Sequence, residues 1–365
     1  MTERERIEAV AAGGTPDCVP WCADMGYWRG AHQERGDLDS AYEGLEGLVR
    51  LHQELGVGVY LSTPGLCSIQ TPRVERTEER SGDEVVSKLH TPVGTLSEHR
   101  QLLPFSNSWA YIERMVRKPE DLKVVRWIAE HQTVKPDWGE FVRADALYGD
   151  LGIPFAYIPR TGLGQLMVQW MGVQTAVYAI ADAPEEFAKT VEALNASLDP
   201  VIEIFAASPA KMMIFTDNLS SEIQSPALFR RYSLPSYERW LSRLHGAGKW
   251  VCVHVDGTLR GLLRIFGACG MDGVESVTPA PVGDLSPDAA RDEAGDHLVL
   301  WGGAPGAIFS PIYPEKAFEE RILEWLAIRH RSPRLVLGVA DQVPPDADLN
   351  RVRRVREIVE EHGRY

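Results

Sequence analysis

Lys249-Trp250-Val251-Cys252-Val253-His254-Val255-Asp256-Gly257 is a short, β-rich apolar run that ends on polar residues. Side chains alternate along a strand, so Cys252, His254 and Asp256 share one face if the extended backbone reaches Asp256. Seven other runs have the same character: Val19 to Asp24, Val57 to Ser62, Ile153 to Pro159, Lys211 to Asp217, Asp272 to Val277, His297 to Trp301 and Arg334 to Ala340.

Helix signals lie between most of these runs. Ser225-Pro226 opens a long helix that Pro235 must kink or divide, with Gly246 and Gly248 near its end. Asp182 reads as the N-cap of a helix running towards Ala207, followed by Pro184 and two glutamates in the first turn. Lys118-Pro119 and Ser286-Pro287 begin shorter helices, and the last helix, Leu349 to His362, sets Val352, Val355, Ile358 and Val359 on one stripe. Strands alternating with helices, with no linker between them, predict an α/β fold: a single (β/α)8 TIM barrel domain over residues 1–365. An open doubly wound sheet is the alternative. The segment between the second and third runs is too long for a simple crossover. Glu84 to Leu89 and Gly94 to His99 read there as a β-hairpin insertion near the barrel mouth.

Composition narrows the function. With 38 Lys+Arg against 52 Asp+Glu the net charge is −14, which argues against non-specific nucleic-acid binding. There is no apolar stretch long enough to cross a membrane and no signal-peptide centre near the N-terminus, so a cytoplasmic protein with no membrane partner is expected. The five cysteines are odd in number and scattered, which predicts free thiols rather than a disulfide framework. A homodimer is compatible with a soluble enzyme, and no part of the sequence specifies its interface.

Barrel chemistry sits at the C-terminal ends of the strands, and here those ends are polar. Asp24, Arg160, Asp217-Asn218, His254, Asp256, Glu275 and Asp341-Gln342 all fall there. His254, Asp256, Glu275 and Asp341 could converge on one metal ion, or serve as an ordinary acid/base site. His254, Glu275 and Asp217 are the catalytic candidates; Asp24, Arg160, Asn218, Gln342 and the aromatic Trp28 are the candidates for substrate contact. Read without function, His254 is a satisfied core histidine, Asp217-Asn218 caps a turn, and Cys22 and Cys252 are packed thiols. No phosphate-binding loop, dinucleotide glycine motif, His-Glu-x-x-His or Cys-x-x-Cys occurs.

Together, several motifs resemble the uroporphyrinogen decarboxylase superfamily. They are Arg6 to Pro20 (Arg6-x-x-x-Val10-x-Ala12-Gly13-Gly14-x-Pro16-Asp17-x-Val19-Pro20), Thr91-Pro92-Val93-Gly94-Thr95, His254-x-Asp256-Gly257, Glu275-x-x-Thr278-Pro279-x-Pro281-x-Gly283-Asp284 and Asp341-Gln342-Val343-Pro344-Pro345. The resemblance covers essentially the whole chain and implies a (β/α)8 barrel. It implies either a decarboxylase or a zinc-dependent methyltransferase that works with a corrinoid protein. The decarboxylase branch carries arginines after its first strand for the propionates of its tetrapyrrole, whereas this chain has Cys22-Ala23-Asp24-Met25-Gly26-Tyr27-Trp28-Arg29, with an acid among them.

The methyltransferase branch is closer in layout. Its zinc ligands imply His254 as the histidine, Asp256 and Asp341 where it has two cysteines, and Glu275 as an added carboxylate. Exchanging thiolates for oxygens makes a harder, more Lewis-acidic site, less suited to activating a thiol. The expected function is therefore transfer of a methyl group between a small O- or N-methyl substrate and a partner corrinoid protein, with zinc at the barrel mouth. A decarboxylase or lyase acting on a small carboxylic acid, and a non-catalytic ligand-binding subunit, are the rival expectations.

Overall fold

A computed structural model of the chain describes residues 1–61, 65–104 and 106–365. Thirteen strands alternate with helices among them: β1 (Trp21–Cys22), β2 (Cys67–Gln70), β3 (Glu75–Ser81), β4 (Glu84–Thr91), β5 (Gly94–Leu103), β6 (Ser108–Glu113), β7 (Thr133–Pro136), β8 (Phe155–Ile158), β9 (Met212–Leu219), β10 (Trp250–Val255), β11 (Gly273–Val277), β12 (Val299–Pro305) and β13 (Leu335–Ala340).

Seven of them form one parallel sheet in the order β1-β13-β12-β11-β10-β9-β8. Of the expected (β/α)8 barrel, the described residues show the α/β class and this curled seven-stranded sheet with helices packed on it. The eighth expected run is that from Val57, whose last residue, Ser62, lies outside the described residues. Gly58 makes one isolated parallel bridge to Cys22, and Val59 makes one to Gly152. The Gly58 N–H donates to the Trp21 carbonyl at 2.8 Å and the Phe155 N–H donates to the Tyr60 carbonyl at 2.8 Å. With one bridge on each side, this segment spans the gap between β1 and the start of β8 without forming a ladder. Only glycine fits at 58, because a Cβ there would lie 2.9 Å from the Cys22 sulfur.

Inside the curl, an apolar layer of Cys22, Tyr60, Phe155, Met212, Cys252, Trp301 and Val336 fills the space between the strands. The Tyr60 ring packs at 4.6 Å from Trp301 and 5.4 Å from Phe155, and Phe155 meets Trp301 edge-on at 5.1 Å. Gly338 on β13 makes room for this cluster, since a Cβ there would stand 2.8 Å from Trp301. Outside the curl, the larger core packs strand residues such as Val253, Leu300 and Leu337 against helical Tyr237, Ile322 and Val355.

Ser225 caps the helix Pro226–Tyr232 by accepting from the Leu228 N–H, and Pro235 lies in the first turn of a separate helix, Leu234–His245. Val352, Val355, Ile358 and Val359 are the buried stripe of Leu349–His362. Asp182 is not a cap. It ends the helix Gly172–Asp182, and Ala183 precedes Pro184–Ala207. All five cysteines are free.

The insertion is larger than a hairpin. β4 and β5 do pair about the turn at Thr91–Gly94, but β3 and β6 flank them in a four-stranded antiparallel sheet, and β2 pairs with β7. Leu96 and Leu89 of this sheet join an apolar cluster with Val124, Leu163 and Met167. The insertion also touches the helix after β1, where the Tyr27 hydroxyl donates to the Ser106 carbonyl.

Candidate active site

His254 and Glu275 are register partners on the neighbouring parallel strands β10 and β11, so their side chains project to the same face. The Nδ1–H of His254 donates to Glu275 Oε2 at 2.5 Å, and the Tyr60 hydroxyl donates to Glu275 Oε1 at 2.7 Å. Glu275 and Tyr60 are fully buried, whereas His254 retains slight exposure at the mouth. Glu275 therefore sits behind the imidazole and fixes its ring, leaving Nε2 facing outward. That is the arrangement of a carboxylate that orients a ligating histidine.

Two further carboxylates meet Nε2. Asp256 Oδ1 and Asp341 Oδ1 each lie 3.6 Å from it, and one ligand atom from each of His254, Asp256 and Asp341 falls within 4.8 Å of the others. Asp256 lies just beyond β10 and Asp341 just beyond β13, so both ride on strand ends that the sheet holds in place. Tetrahedral zinc with bonds of about 2.0–2.2 Å sets its ligand atoms about 3.3–3.6 Å apart, so the two 3.6 Å distances from Nε2 suit a zinc-sized ion. Glu275 is not in this group, because both its oxygens are engaged behind the ring.

The electrostatics follow from the crowding. Burial alone would lower the pKa of His254, but Glu275, with help from Asp256 and Asp341, holds it well above 6.5. Asp256 is stabilised as a carboxylate by His254, Asn218 and Arg160, which together outweigh its burial. Asp341 is pushed up to about 7, first by withdrawal from water and then by the nearby Glu275, Asp256 and Asp24 carboxylates, against the pull of His254.

A line of hydrogen bonds continues outward. Arg160 Nη2 donates to Asn218 Oδ1 at 2.5 Å, and Asn218 Nδ2 donates to Asp256 Oδ2 at 2.5 Å. Asn218 reaches the mouth because it has φ 51° at a register shift between β9 and β10. Its neighbour Asp217 faces the other way. Fully buried, Asp217 accepts from the Tyr237 hydroxyl at 2.6 Å and from the Thr161 N–H at 2.6 Å, so it ties strand to helix and is not brought to the cluster.

Asp24 is buried near Asp341 and accepts from the Gly26 N–H at 2.7 Å. Gln342 lines a cleft beside Asp341. Trp28 lies on the helix Gly26–Arg35 and packs against His32, with ring centres 4.3 Å apart. Cys252 is buried in the layer beneath and lies outside the ligand group, its thiol pKa pushed well above 9 by that burial. Tyr60 does not stand out in the sequence. Its only signal is a hydroxylated aromatic in an apolar run.

Residues 155–362 match the family model described as uroporphyrinogen decarboxylase (URO-D), and the chain belongs to that family. Among solved structures, it is similar to a methyltransferase from Methanosarcina mazei at 14% identity and a TM-score of 0.61, covering 99% of each chain. That likeness shows the fold. A D-psicose 3-epimerase from Clostridium cellulolyticum H10 also aligns, at 10% identity and a TM-score of 0.37, over 61% of this chain and 82% of the epimerase. No curated protein matches the sequence. Among the described residues, no helix is long and apolar enough to cross a membrane.

Proposed function

We propose that this protein is a methyltransferase that moves a methyl group from a small O- or N-methyl donor to the cobalt of a partner corrinoid protein. The observation that carries the reading is the convergence of His254 Nε2, Asp256 and Asp341 at a spacing that suits a metal ion. Similarity in fold to a methyltransferase supports it. His254, Asp256 and Asp341 would hold zinc, and a zinc with oxygen-rich ligands supplies Lewis acidity for a departing oxygen or nitrogen.

The chain's own groups do the rest. Glu275 and Tyr60 lock the His254 ring. Without a metal, His254 carries a proton on Nε2 at neutral pH that can be given to the leaving heteroatom. Asn218 and Arg160 hold Asp256 in place, so the cluster keeps its shape while the donor changes. Among the described residues the mouth gathers the carboxylates of Asp256 and Asp341, where a polycarboxylate would need cations, which disfavours tetrapyrrole decarboxylation.

Elemental analysis of the purified protein and of an Asp256→Ala/Asp341→Ala variant tests the reading. About one zinc per chain in the parent, absent from the variant, is expected. A parent that carries no metal and gains none when zinc is added overturns the ligand assignment.

A further inference from the structure

Tyr60 sits behind Glu275 on a segment, residues 57–61, that isolated bridges hold in place of a ladder among the described residues. Its backbone takes single links from either side. The Ala23 N–H donates to the Gly58 carbonyl at 3.2 Å, the Val59 N–H to the Leu151 carbonyl at 3.3 Å and the Phe155 N–H to the Tyr60 carbonyl at 2.8 Å. Buried carbonyls need partners, and at the two ends of this segment side chains supply them.

At the near end, His52 Nδ1 lies 3.2 Å from the Val57 carbonyl, while the Val57 N–H donates to the His52 carbonyl at 3.1 Å, so residue 52 grips residue 57 twice. A carbonyl only accepts, so Nδ1 carries the proton. The ring is neutral, because burial pushes its pKa down to about 4. At the far end, the Tyr148 hydroxyl donates to the Leu61 carbonyl at 2.8 Å. His52 and Tyr148 are each 1% exposed and reach the segment from separate helices, Gly44–Leu55 and Gly139–Tyr148. Leu51 and Leu55 of the first helix and Phe141 and Ala144 of the second share one core cluster, so both anchors stand on a close-packed base.

We infer that His52 and Tyr148 are positioning residues: they replace the ladder that residues 57–61 do not form and hold the Tyr60 hydroxyl on Glu275. Leu61 is the chain neighbour of Tyr60, so a shift at its carbonyl passes straight to the tyrosine. On the reading of His254 as the working group of the site, the two anchors set its ring through Tyr60 and Glu275. Their grip on Tyr60 itself depends on neither a metal nor a particular reaction.

The test reads the Tyr60 hydroxyl in the full, metal-free chain. Tyrosine carrying carbon-13 at Cζ gives one NMR signal per ring, and Tyr60→Phe identifies the signal of residue 60. In mixed light and heavy water a slowly exchanging hydroxyl splits that signal into protonated and deuterated lines, whose interconversion gives a rate. Tyr148→Phe, which removes only a hydroxyl, and His52→Leu should each speed this exchange about tenfold. His52→Asn, whose amide nitrogen takes the place of Nδ1, should return it close to the parental rate. Asp217→Ala is the control: it loosens the join of β9 to the helix Leu234–His245 and should leave the Tyr60 rate unchanged. An unchanged rate in Tyr148→Phe, or in folded His52→Leu, overturns the inference and means that the rings of Phe155 and Trp301 hold Tyr60 by packing alone. Equal acceleration by Asp217→Ala overturns it as well, because the effect is then a general loosening. Should His52→Leu fail to fold, Tyr148→Phe decides. A chain that takes up no zinc but whose Tyr60 rate responds as stated defeats the ligand assignment and leaves this inference standing. Bound zinc with a Tyr60 rate indifferent to both anchors defeats the inference alone.

Discussion

His254 is gripped on one nitrogen and open on the other, and both conditions come from neighbours on different strands. Replacing it with alanine should abolish turnover while circular dichroism shows a folded chain. Tyr60→Phe is a subtler test. It leaves one Glu275 oxygen without its donor, so zinc affinity measured against a competing chelator should fall about tenfold or more, and stability should drop by about 1–3 kcal/mol. Unchanged values would mean that Tyr60 only fills space. Asp341 gives a pH signature. Its carboxyl ionises at about 7 in the folded chain against an ordinary 3.8, so the folded state binds more protons between these values and loses stability as pH rises through them. Metal-free Asp341→Asn should therefore lack this component of the decline and be more stable than the parent above about pH 7, as read by urea unfolding across that range. His254, Asp256 and Asp341 were legible as candidates because polar residues at strand ends stand out from apolar runs. Tyr60 was not, because its partner lies 215 positions away.

At the scale of the element, β9 shows where alternation misleads. The sequence places Asp217 and Asn218 together at a strand end, but the left-handed backbone at Asn218 sends the two side chains to opposite destinations. Asp217 belongs to the join between β9 and the helix Leu234–His245. Asp217→Ala strands the Tyr237 hydroxyl and the Thr161 N–H in the core, so it should lower stability by about 2–3 kcal/mol with zinc content per folded chain unchanged. Full stability with lost turnover would return Asp217 to the catalytic group. Register shifts of this kind depend on pairing between strands far apart in sequence, and residue types along one strand do not encode them.

The whole molecule was legible where apolar runs were long and illegible where they were short or polar. Seven of the eight runs became strands of one sheet, while the Val57 run, interrupted by Gly58, made single bridges. β3 is exposed at all seven residues, so it has no apolar alternation to announce it; its pairing with β4 extends the insertion beyond the expected hairpin. The same contrast predicts dynamics. Amides of β3 should exchange with deuterium well before those of β10 to β13, whose strands are buried throughout or nearly so. Matching rates would show that the insertion opens only with the main sheet. The ring cluster of Tyr60, Phe155 and Trp301 has a further effect on how the molecule is used. It makes the curl a cul-de-sac, so whatever reaches His254 arrives and departs through the same doorway; under the methyl-transfer reading proposed above, spent donor would have to clear the threshold before a bulky acceptor could take its place.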